Sequence, residues 1–441
     1  MTTGLSPSVN TDSVLDLEKE PVSTNHRPSR QCHYSPSSLT FVRKTNGKFT
    51  LGKPLRIRSI PPLAIGFLDL ANSGDFAANV FNRVPVPVYA IVLMAIGATI
   101  ALVMSFVALR DLSSSWNNIK LLREERACLK SINDDKVAEL EINHRDLGTE
   151  IFDRAGVDMA MGIGAFLIAI GTYMAIGGAN HKVWFASNLL SGYVGNALPA
   201  LYGLCNVGWS IHIWTRARHQ QCAASRHLCD GVAKQLLSSR LRKTQGHAIL
   251  TGVVCLVSGA LSMVTPTHWW PYPVLLVCGL AFIYSTWVYR TQIGYERPML
   301  NDDTVLDESS LMADLRFLHS TKAAIQTSSD VWATLQLGDV PIHDLLGFLS
   351  RCDLLENLCS ALLNESRFIK QHIRDLPTPA TTICQHVLSE LDKPEQTAEI
   401  FNFARSHLER YGLQRVSIRE RYLLECLGAC LLHRTGQGKD G

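Results

Sequence analysis

Charged residues are scarce in this chain. Asp, Glu, Lys and Arg make up 18% of its 441 residues, whereas about 25% is usual for soluble globular proteins. The shortage is concentrated in four windows without any charged residue, at 84–109, 159–181, 183–215 and 244–289. Such windows are typical of membrane-spanning segments. The two ends of the chain have the composition of ordinary soluble protein.

Signals for nucleic-acid binding and for catalysis are also missing. The net charge is only +3, and no basic patch with interleaved aromatic residues is present, so we expect no nucleic acid as a partner. The sequence contains no GxxxxGK[ST] phosphate loop, no GxSxG nucleophile elbow and no HExxH zinc motif. We therefore predict no catalytic residue, no cofactor and no metal site, and we expect a protein that is not an enzyme.

The charge-free windows predict five transmembrane helices. A helix needs about 20 mainly apolar residues to cross the roughly 30 Å hydrocarbon core, because each residue rises about 1.5 Å. The first three windows each provide one crossing, and the fourth provides two. The predicted crossings are TM1 at 87–109, TM2 at 157–178, TM3 at 186–210, TM4 at 248–265 and TM5 at 271–289. TM3 is the weakest, since it contains three asparagines.

The turn between TM4 and TM5 is marked by the sequence TPTHWWPYP at 265–273. Its three prolines limit helix continuation, so the chain can reverse there. The amphipathic rings of Trp269, Trp270 and Tyr272 suit the headgroup level of a bilayer. We interpret this stretch as a hairpin bend at a membrane surface rather than as a ligand pocket.

Positively charged residues indicate the orientation. Short loops rich in Lys and Arg face the cytoplasm, and the predicted loops at 110–156, which is helical, and at 215–247 are rich in both. The connector after TM2 has only Lys182, and the turn before TM5 has neither residue. The sequence therefore predicts an integral membrane protein with a cytoplasmic C-terminus and the lipid bilayer as its surroundings.

The N-terminal region divides into two parts. Residues 1–60 are rich in Ser, Thr and Pro, which predicts a disordered tail. The segment 61–86 is predicted to be juxtamembrane, because its run PPLAIGFLDLA is too short to cross and suits the interface. Five crossings would place the tail on the side opposite the C-terminus. Six basic residues between Arg43 and Arg58 conflict with that placement, and an interfacial segment would change the parity, so the side of the tail stays open.

Residues 300–434 predict a helical cytosolic domain. Apolar residues recur at helical spacing, as at Leu423, Leu427 and Leu431, and give each helix one apolar face. The fold class is therefore all-α: a polytopic helical membrane protein with a disordered N-terminal tail and a helical C-terminal cytosolic domain. We expect protein partners to bind the domain at 300–434.

A polar stripe on TM3 offers the only candidate binding residues, which are Asn188, Asn196, Asn206 and Ser210. They share one helix face with small residues, and polar groups within hydrocarbon must face protein or water. Helix packing is the ordinary use of such a face. A polar conduit or a ligand cleft is the alternative.

Three functions follow as hypotheses. The leading one is a non-enzymatic scaffold or adaptor protein that docks partners through its cytosolic domain. The first alternative is a transporter or channel subunit that uses the TM3 stripe, and it would require a homo-oligomeric pore, since five crossings without a repeat are few. The second is a membrane-embedded enzyme or accessory protein acting on a hydrophobic metabolite, for which acids within the membrane are expected and are not seen.

Overall fold

Helices dominate the structure. This computed structural model describes residues 38–437 except for 44–47, 52–55, 62–65, 69, 71–72, 82–85, 133–135, 178–179, 230, 301–305, 339, 366–379 and 385–393. The all-α class is confirmed, with only short strands added to the helices in the described ranges. The predicted disorder of residues 1–37 lies outside the described residues.

The described strands and helices have the following residue ranges. The strands are β1 (Ser38–Arg43), β2 (Phe49–Leu51), β3 (Arg56–Arg58), β4 (Glu296–Pro298) and β5 (Ala380–Cys384). The helices are α1 (Phe76–Val80), α2 (Val88–Ile132), α3 (Val137–Thr149), α4 (Val157–Ala175), α5 (His181–Ser187), α6 (Gly195–His227), α7 (Val232–Ser262), α8 (Pro271–Val288), α9 (Glu308–Thr327), α10 (Val331–Thr334), α11 (Ile342–Arg351), α12 (Leu355–Glu365) and α13 (Pro394–Gln437). Wider π-helical turns join α3 to α4 and α5 to α6, and another extends α8; they are Glu150–Gly156, Asn188–Val194 and Tyr289–Ile293.

Among the described helices, four are long and apolar enough to cross a membrane. They are Val88–Ser131, Val137–Ala175, Val232–Ser262 and Pro271–Ile293. These helices overlap the windows that predict TM1, TM2, TM4 and TM5. TM3 is not among the four, because its asparagines and glycines dilute its apolar residues. It nevertheless forms an unbroken helical path through the π-helical turn and α6.

Helix α6 is held between α4 and α7 by glycine contacts. A Cβ at Gly164 on α4 would lie only 2.8 Å from the carbonyl oxygen of Gly195 at the start of α6. A Cβ at Gly203 on α6 would come even closer to the carbonyl oxygen of Cys255 on α7. Neither position has room for a side chain, so the helix backbones approach closely on both sides.

The predicted loop 110–156 forms a helical hairpin. Helix α2 has 45 residues, which is about 68 Å at 1.5 Å per residue and therefore about twice the hydrocarbon thickness. Its second half extends beyond the apolar region, and α3 runs back along it. Asn143 Nδ2 donates to the carbonyl oxygen of Leu122 at 2.9 Å, and Ser115 Oγ donates to Glu150 Oε1 at 2.8 Å.

We distinguish two ends of the helix bundle. The C-terminal helices lie at the end that we call proximal, and the turn before α8 lies at the end that we call distal. A segment ahead of TM1 begins at the proximal end, where the Arg290 guanidinium donates to the carbonyl oxygen of Pro61. About two helical turns before Arg290, Gly66 packs on Ile283 of α8, with a Cβ position 3.1 Å from the Ile283 Cα.

The same segment continues along α8 to the distal end. Leu68 is fully buried in the middle of the bundle, and Leu70 packs against Gly279. Asp75 then meets Tyr272, whose hydroxyl donates to Asp75 Oδ1 at 3.1 Å. The described residues between 61 and 80 therefore lie along the bundle from its proximal to its distal end, and we call this segment the broken crossing. Leu68 and Asp75 of the segment are buried by their neighbours.

The strands of the tail lie at the proximal end, with the C-terminal helices. Strand β1 pairs antiparallel with β5, placing Phe41 opposite Thr381, and β3 pairs antiparallel with β4, placing Ile57 opposite Arg297. The sequence left the side of the tail open, and in the described structure β1 and β3 lie with the C-terminal helices. The strands also give structure to part of the segment 1–60, for which none was predicted.

The largest apolar core lies at the proximal end and is shared by distant parts of the chain. It includes Phe41 of β1, Ile142 of α3 and Leu427 of α13. The helices predicted at 300–434 are present, but their core is shared with both predicted cytosolic loops. We call this unit the proximal body, and it comprises the described residues of 38–60, 110–156, 215–247 and 293–437.

Candidate functional site

The structure divides the predicted polar stripe into two halves. Asn196 is 2% exposed and Asn206 is 0% exposed, so both face protein. Asn196 lies in the distal half of the bundle and Asn206 in the proximal half, about 15 Å apart along the helix. Ser210 is buried beside Asn206. Asn188 is half-buried, and its side-chain oxygen lies against Gly192 of its own helix.

The distal half of the stripe lies beside a buried carboxyl group. Tyr272 OH donates to Asp75 Oδ1 at 3.1 Å, and Asn79 Nδ2 donates to Asp75 Oδ2 at 2.9 Å. Asn196 Nδ2 donates to Thr265 Oγ1 at 3.3 Å. Asn196 also contacts Asp75, and Thr265 also contacts Tyr272. We call these five residues the distal cluster. It connects the broken crossing, α6, α8 and the turn before α8.

The proximal half of the stripe borders a cavity of about 50 Å³, the proximal cavity, whose walls contain both polar and apolar residues. Asn206 Nδ2 donates to Tyr202 OH at 2.8 Å and to Asp153 Oδ1 at 3.3 Å. Trp209 Nε1 donates to Asp153 Oδ2 at 3.1 Å, and Ser210 Oγ donates to Asn206 Oδ1 at 3.2 Å. Asp153 and Tyr202 line the cavity, so Asn206 of the stripe holds two of the polar side chains in its wall.

Hydroxyl groups and His247 complete the walls of the proximal cavity. Ser59 Oγ and Tyr289 OH lie 3.0 Å apart, and Thr251 Oγ1 and Ser285 Oγ lie 2.7 Å apart. A cavity of this size has room for a few water molecules at its polar groups. Pockets for metabolites are usually several times larger.

An apolar layer separates the distal cluster from the proximal cavity. It includes Leu68 of the broken crossing, Met161 of α4, Val254 of α7 and Phe282 of α8, all of them buried. The layer lies at the middle of the bundle, where α6 also contacts its neighbours through glycine. Within the described residues it interrupts the polar stripe and closes a continuous path along TM3.

Three acids are buried near the proximal end: Asp111, Glu150 and Asp158. Arg154 Nη2 lies 2.9 Å from Asp111 Oδ1, and Arg154 Nη1 lies 2.8 Å from Glu150 Oε1. Asp158 is fully buried next to Asp111. Asp158 lies at the proximal end of predicted TM2, where α2 covers it.

The chain matches no protein family model, no curated protein and no solved structure. No activity, substrate or partner is therefore carried over from a relative. Its function is inferred from the positions of its own residues.

Glu425 on α13 is the centre of a buried group of ion pairs in the proximal body. Its Oε1 lies 2.6 Å from Arg216 Nη1, and its Oε2 lies 2.6 Å from Arg240 Nη1 and 3.9 Å from Arg145 Nη1. Burial alone would raise the pKa of Glu425, but the three guanidinium groups outweigh it and hold the pKa well below its usual range. The C-terminal helix is thereby fixed to α3, α6 and α7.

Arg297 extends this group toward α2. Its Nη1 and Nη2 lie 2.7 and 2.8 Å from the two carboxylate oxygens of Glu125, and its Nε lies 2.7 Å from Asp146 Oδ2. Tyr295 OH donates to Asp146 Oδ1 at 2.7 Å, and the Arg145 guanidinium lies 5.2 Å from the centre of the Tyr295 ring. We call the whole set the ion-pair network; its charged members are Glu125, Arg145, Asp146, Arg216, Arg240, Arg297 and Glu425.

A polar groove of about 430 Å³ lies on the proximal body between α12 and α13, and we call it the α12–α13 groove. Its size is within the range of ligand-binding clefts. Arg58 and Arg415 each lie 3.0 Å from Glu296 at the strand side of the groove. The polar residues that the two helices contribute include Asn357, Ser360, Asn364, His407, Tyr411 and Gln414.

Three buried acids of these sites were not predicted from the sequence. Asp75 follows a run that was read as an interfacial segment, and Asp153 lies in a stretch that was read as a cytosolic loop. Glu425 is one acid on an amphipathic helix, and the sequence around it carries no sign of three arginine partners. A usable signal was the position of Asp75 shortly before a charge-free window, since an acid beside a crossing is a candidate for burial.

Proposed function

We propose that the protein is an integral membrane protein that docks other proteins at the cytosolic face of a membrane and has no catalytic activity of its own. The proximal body is the docking part, and the apolar helices are its anchor. The ion-pair network carries this proposal. It fixes the C-terminal helix to helices that continue into the apolar bundle, so the body has a defined position at the membrane.

Six passages through the membrane fit this function. Five are the helices predicted as TM1 to TM5, and TM3 is included because α6 packs between α4 and α7. The sixth is the broken crossing. The positive-inside rule supports a cytosolic proximal end, since both basic loops and Arg43, Arg56 and Arg58 belong to it, while the connector after TM2 has only Lys182. Both termini are then cytosolic.

The α12–α13 groove is the proposed docking contact. Its walls combine amide, hydroxyl, imidazole and charged groups, which are the donors and acceptors that an extended polar segment of a partner requires. Two separate helices and the β3–β4 pair form the walls, so the shape of the groove depends on the folded proximal body. The groove thereby links docking to the ion-pair network that holds this body together.

Site-specific photo-crosslinking tests the docking proposal. Deletion of 300–441 would remove part of the shared core, so single positions in the full chain are preferable. A photoreactive amino acid replaces Gln414 in the groove, and in the control it replaces Glu409, five residues earlier and outside the groove. Both side chains are exposed. Protein adducts from position 414 that are missing from position 409 support docking in the groove; equal adducts, or none at 414, refute it.

Transport is the second candidate, and the broken crossing favours it. Discontinuous segments at membrane depth form the ion sites of many transporters. The apolar layer closes a path through one copy, so transport requires that this layer opens or that several copies form a pore. Proton and sodium flux into proteoliposomes is the measurement. Asn196→Leu and Asn206→Leu should abolish flux if the stripe is a conduit, whereas Asn188→Leu should not; unchanged flux in assembled variants excludes the conduit.

A further inference from the structure

Asp75 is a carboxyl group buried inside the bundle without a cationic partner in the described structure. Its side chain belongs to a residue that is 1% exposed. Its described side-chain partners are Tyr272, Asn79 and Asn196, all of which are neutral. An ionised carboxylate is strongly disfavoured in a low-dielectric interior unless a cation neutralises it. Binding of a proton removes this charge.

The elements packed around Asp75 present no described charge to it. Tyr272 of α8 is the titratable group that faces Asp75, while α1 contributes Asn79, α6 contributes Asn196 and the preceding turn contributes Thr265. Helices α2 and α4 contribute apolar side chains. The buried apolar residues in this region are Ala77, Ala78, Ala90, Met94 and Ala175. The surroundings therefore suit a neutral carboxylic acid.

The distal cluster can also satisfy the hydrogen bonds of a protonated Asp75. A carboxylic acid donates one hydrogen bond, and a phenol oxygen both donates and accepts. Asp75 Oδ1 then donates to Tyr272 OH, and the hydroxyl hydrogen of Tyr272 turns toward Thr265. Asn79 Nδ2 continues to donate to Asp75 Oδ2 and lies 2.6 Å from Tyr272 OH. No polar atom of the pair loses its partner through this reversal.

We propose that Asp75 is a proton-binding site and that the bound proton holds the broken crossing against α8. The turn Ser73–Asp75 and the five-residue α1 are too short to be stable alone, and the contact with Tyr272 attaches them to α8. Loss of the proton places an unneutralised charge in this contact, draws water into the distal cluster and releases residues 73–80. This proton-sensitive element is independent of docking at the α12–α13 groove.

Infrared spectroscopy of the full-length protein in lipid nanodiscs tests the proton directly. The difference spectrum between the wild-type protein and Asp75→Asn at neutral pH should show loss of a protonated carboxyl C=O band. Loss of an ionised carboxylate band would overturn the proposal. Asp158→Asn is the matched control, since it removes a different buried acid at the proximal end and should not alter the band assigned to Asp75.

A second variant covers the case in which Asp75→Asn does not fold. Tyr272→Phe removes only the hydroxyl group that bonds Asp75. A protonated Asp75 then loses a hydrogen-bond partner, and its C=O band should shift to higher frequency. An unchanged protonated-carboxyl region in a folded Tyr272→Phe protein would show that Asp75 does not hold the proton.

Hydrogen–deuterium exchange tests whether the proton secures the segment. After correction for intrinsic exchange rates, residues 73–80 of the wild type should lose protection as the pH rises, whereas Asp75→Asn should stay protected. The same pH response in both proteins would refute the role of the proton. The exchange is also measured in sodium and in potassium salts. Protection that is seen in sodium but not in potassium, and that is lost in Asp75→Asn, would assign the site to a metal cation and overturn the proton assignment.

Discussion

Arg297 and Glu125 form a two-point ion pair, with nitrogen–oxygen distances of 2.7 and 2.8 Å. Both side chains are 0% exposed. Glu125 lies on the extension of α2, and Arg297 follows the last predicted crossing. The pair therefore ties the first long helix to the segment that leads into the C-terminal helices. It is one of the contacts that turn separate loops into a single proximal body.

Replacement of Arg297 alone should be strongly destabilising. Arg297→Met leaves Glu125 and Asp146 buried without this cation, and loss of one partner of a buried pair costs about 3–5 kcal/mol. Unfolding in detergent measures the change in the free energy of unfolding. Arg434→Ala is the control, because it breaks an exposed pair with Glu308 at 3.0 Å and should cost less than about 1 kcal/mol. Similar losses in the two variants would contradict a special role for the buried pair.

The protein should lose stability in acid through Glu425. Its pKa is held well below the usual range in the folded state, whereas an unfolded glutamate titrates near about 4.3. The folded state therefore binds fewer protons. The contribution of Glu425 is complete above about pH 5 and falls progressively as the pH drops toward the folded-state pKa.

Glu425→Gln is the variant that isolates this effect. It should be less stable than the wild type at neutral pH, because three guanidinium groups lose their shared carboxylate. It should also show a shallower loss of stability between about pH 5 and 3, since the titrating group is gone. Melting temperatures across this range provide the comparison, and equal slopes for the two proteins would contradict the prediction.

Two glycines of α6 should respond oppositely to alanine. A Cβ at Gly203 meets the backbone of Cys255, which cannot rotate away, whereas a Cβ at Gly208 meets nothing within 4 Å. We expect Gly203→Ala to destabilise the protein by about 1–3 kcal/mol through overpacking. Gly208→Ala should be neutral or stabilise it by up to about 1 kcal/mol, because alanine favours helix. Melting in detergent distinguishes the two, and a stable Gly203→Ala protein would argue against the close contact of α6 with α7.

Both termini should lie on one side of the membrane. Epitope tags are placed at residue 1, at residue 441 and in the turn at 268. Antibody binding to each tag is then measured in cells whose plasma membrane alone is permeabilised, so that only cytosolic tags are accessible. We expect antibody access to both terminal tags and not to the tag at 268, because the broken crossing makes the number of passages even. A protected N-terminal tag together with an accessible C-terminal tag would show that residues 61–80 do not cross.

Much of the apolar helix bundle could be predicted from local composition. The window that predicts TM1 at 87–109 corresponds to part of α2, and the TPTHWWPYP turn precedes α8, because prolines and long apolar runs act on their own neighbourhoods. The helices at 300–434 were predictable from apolar spacing for the same reason. The broken crossing was not, because its passage depends on burial against α8 rather than on a helix of its own.

The candidate sites were predictable only in part. Asn196 and Asn206 were identified because asparagine within an apolar window must find a partner. Their partners, Thr265 and Asp153, could not be identified, since they are separated from them by 69 and 53 positions. The same limit applies to Glu425, whose arginine partners come from three other helices.

The amino-acid sequence by itself determined that the chain has apolar helices long enough to cross a bilayer and that two of its loops are basic, because helix length, hydropathy and charge are properties of neighbouring residues. Only the tertiary structure decided which polar groups are removed from water. Burial of Asp75 and the pairing of Arg297 with Glu125 arise when segments far apart in the chain exclude solvent together, and the energy of a charge depends on that exclusion.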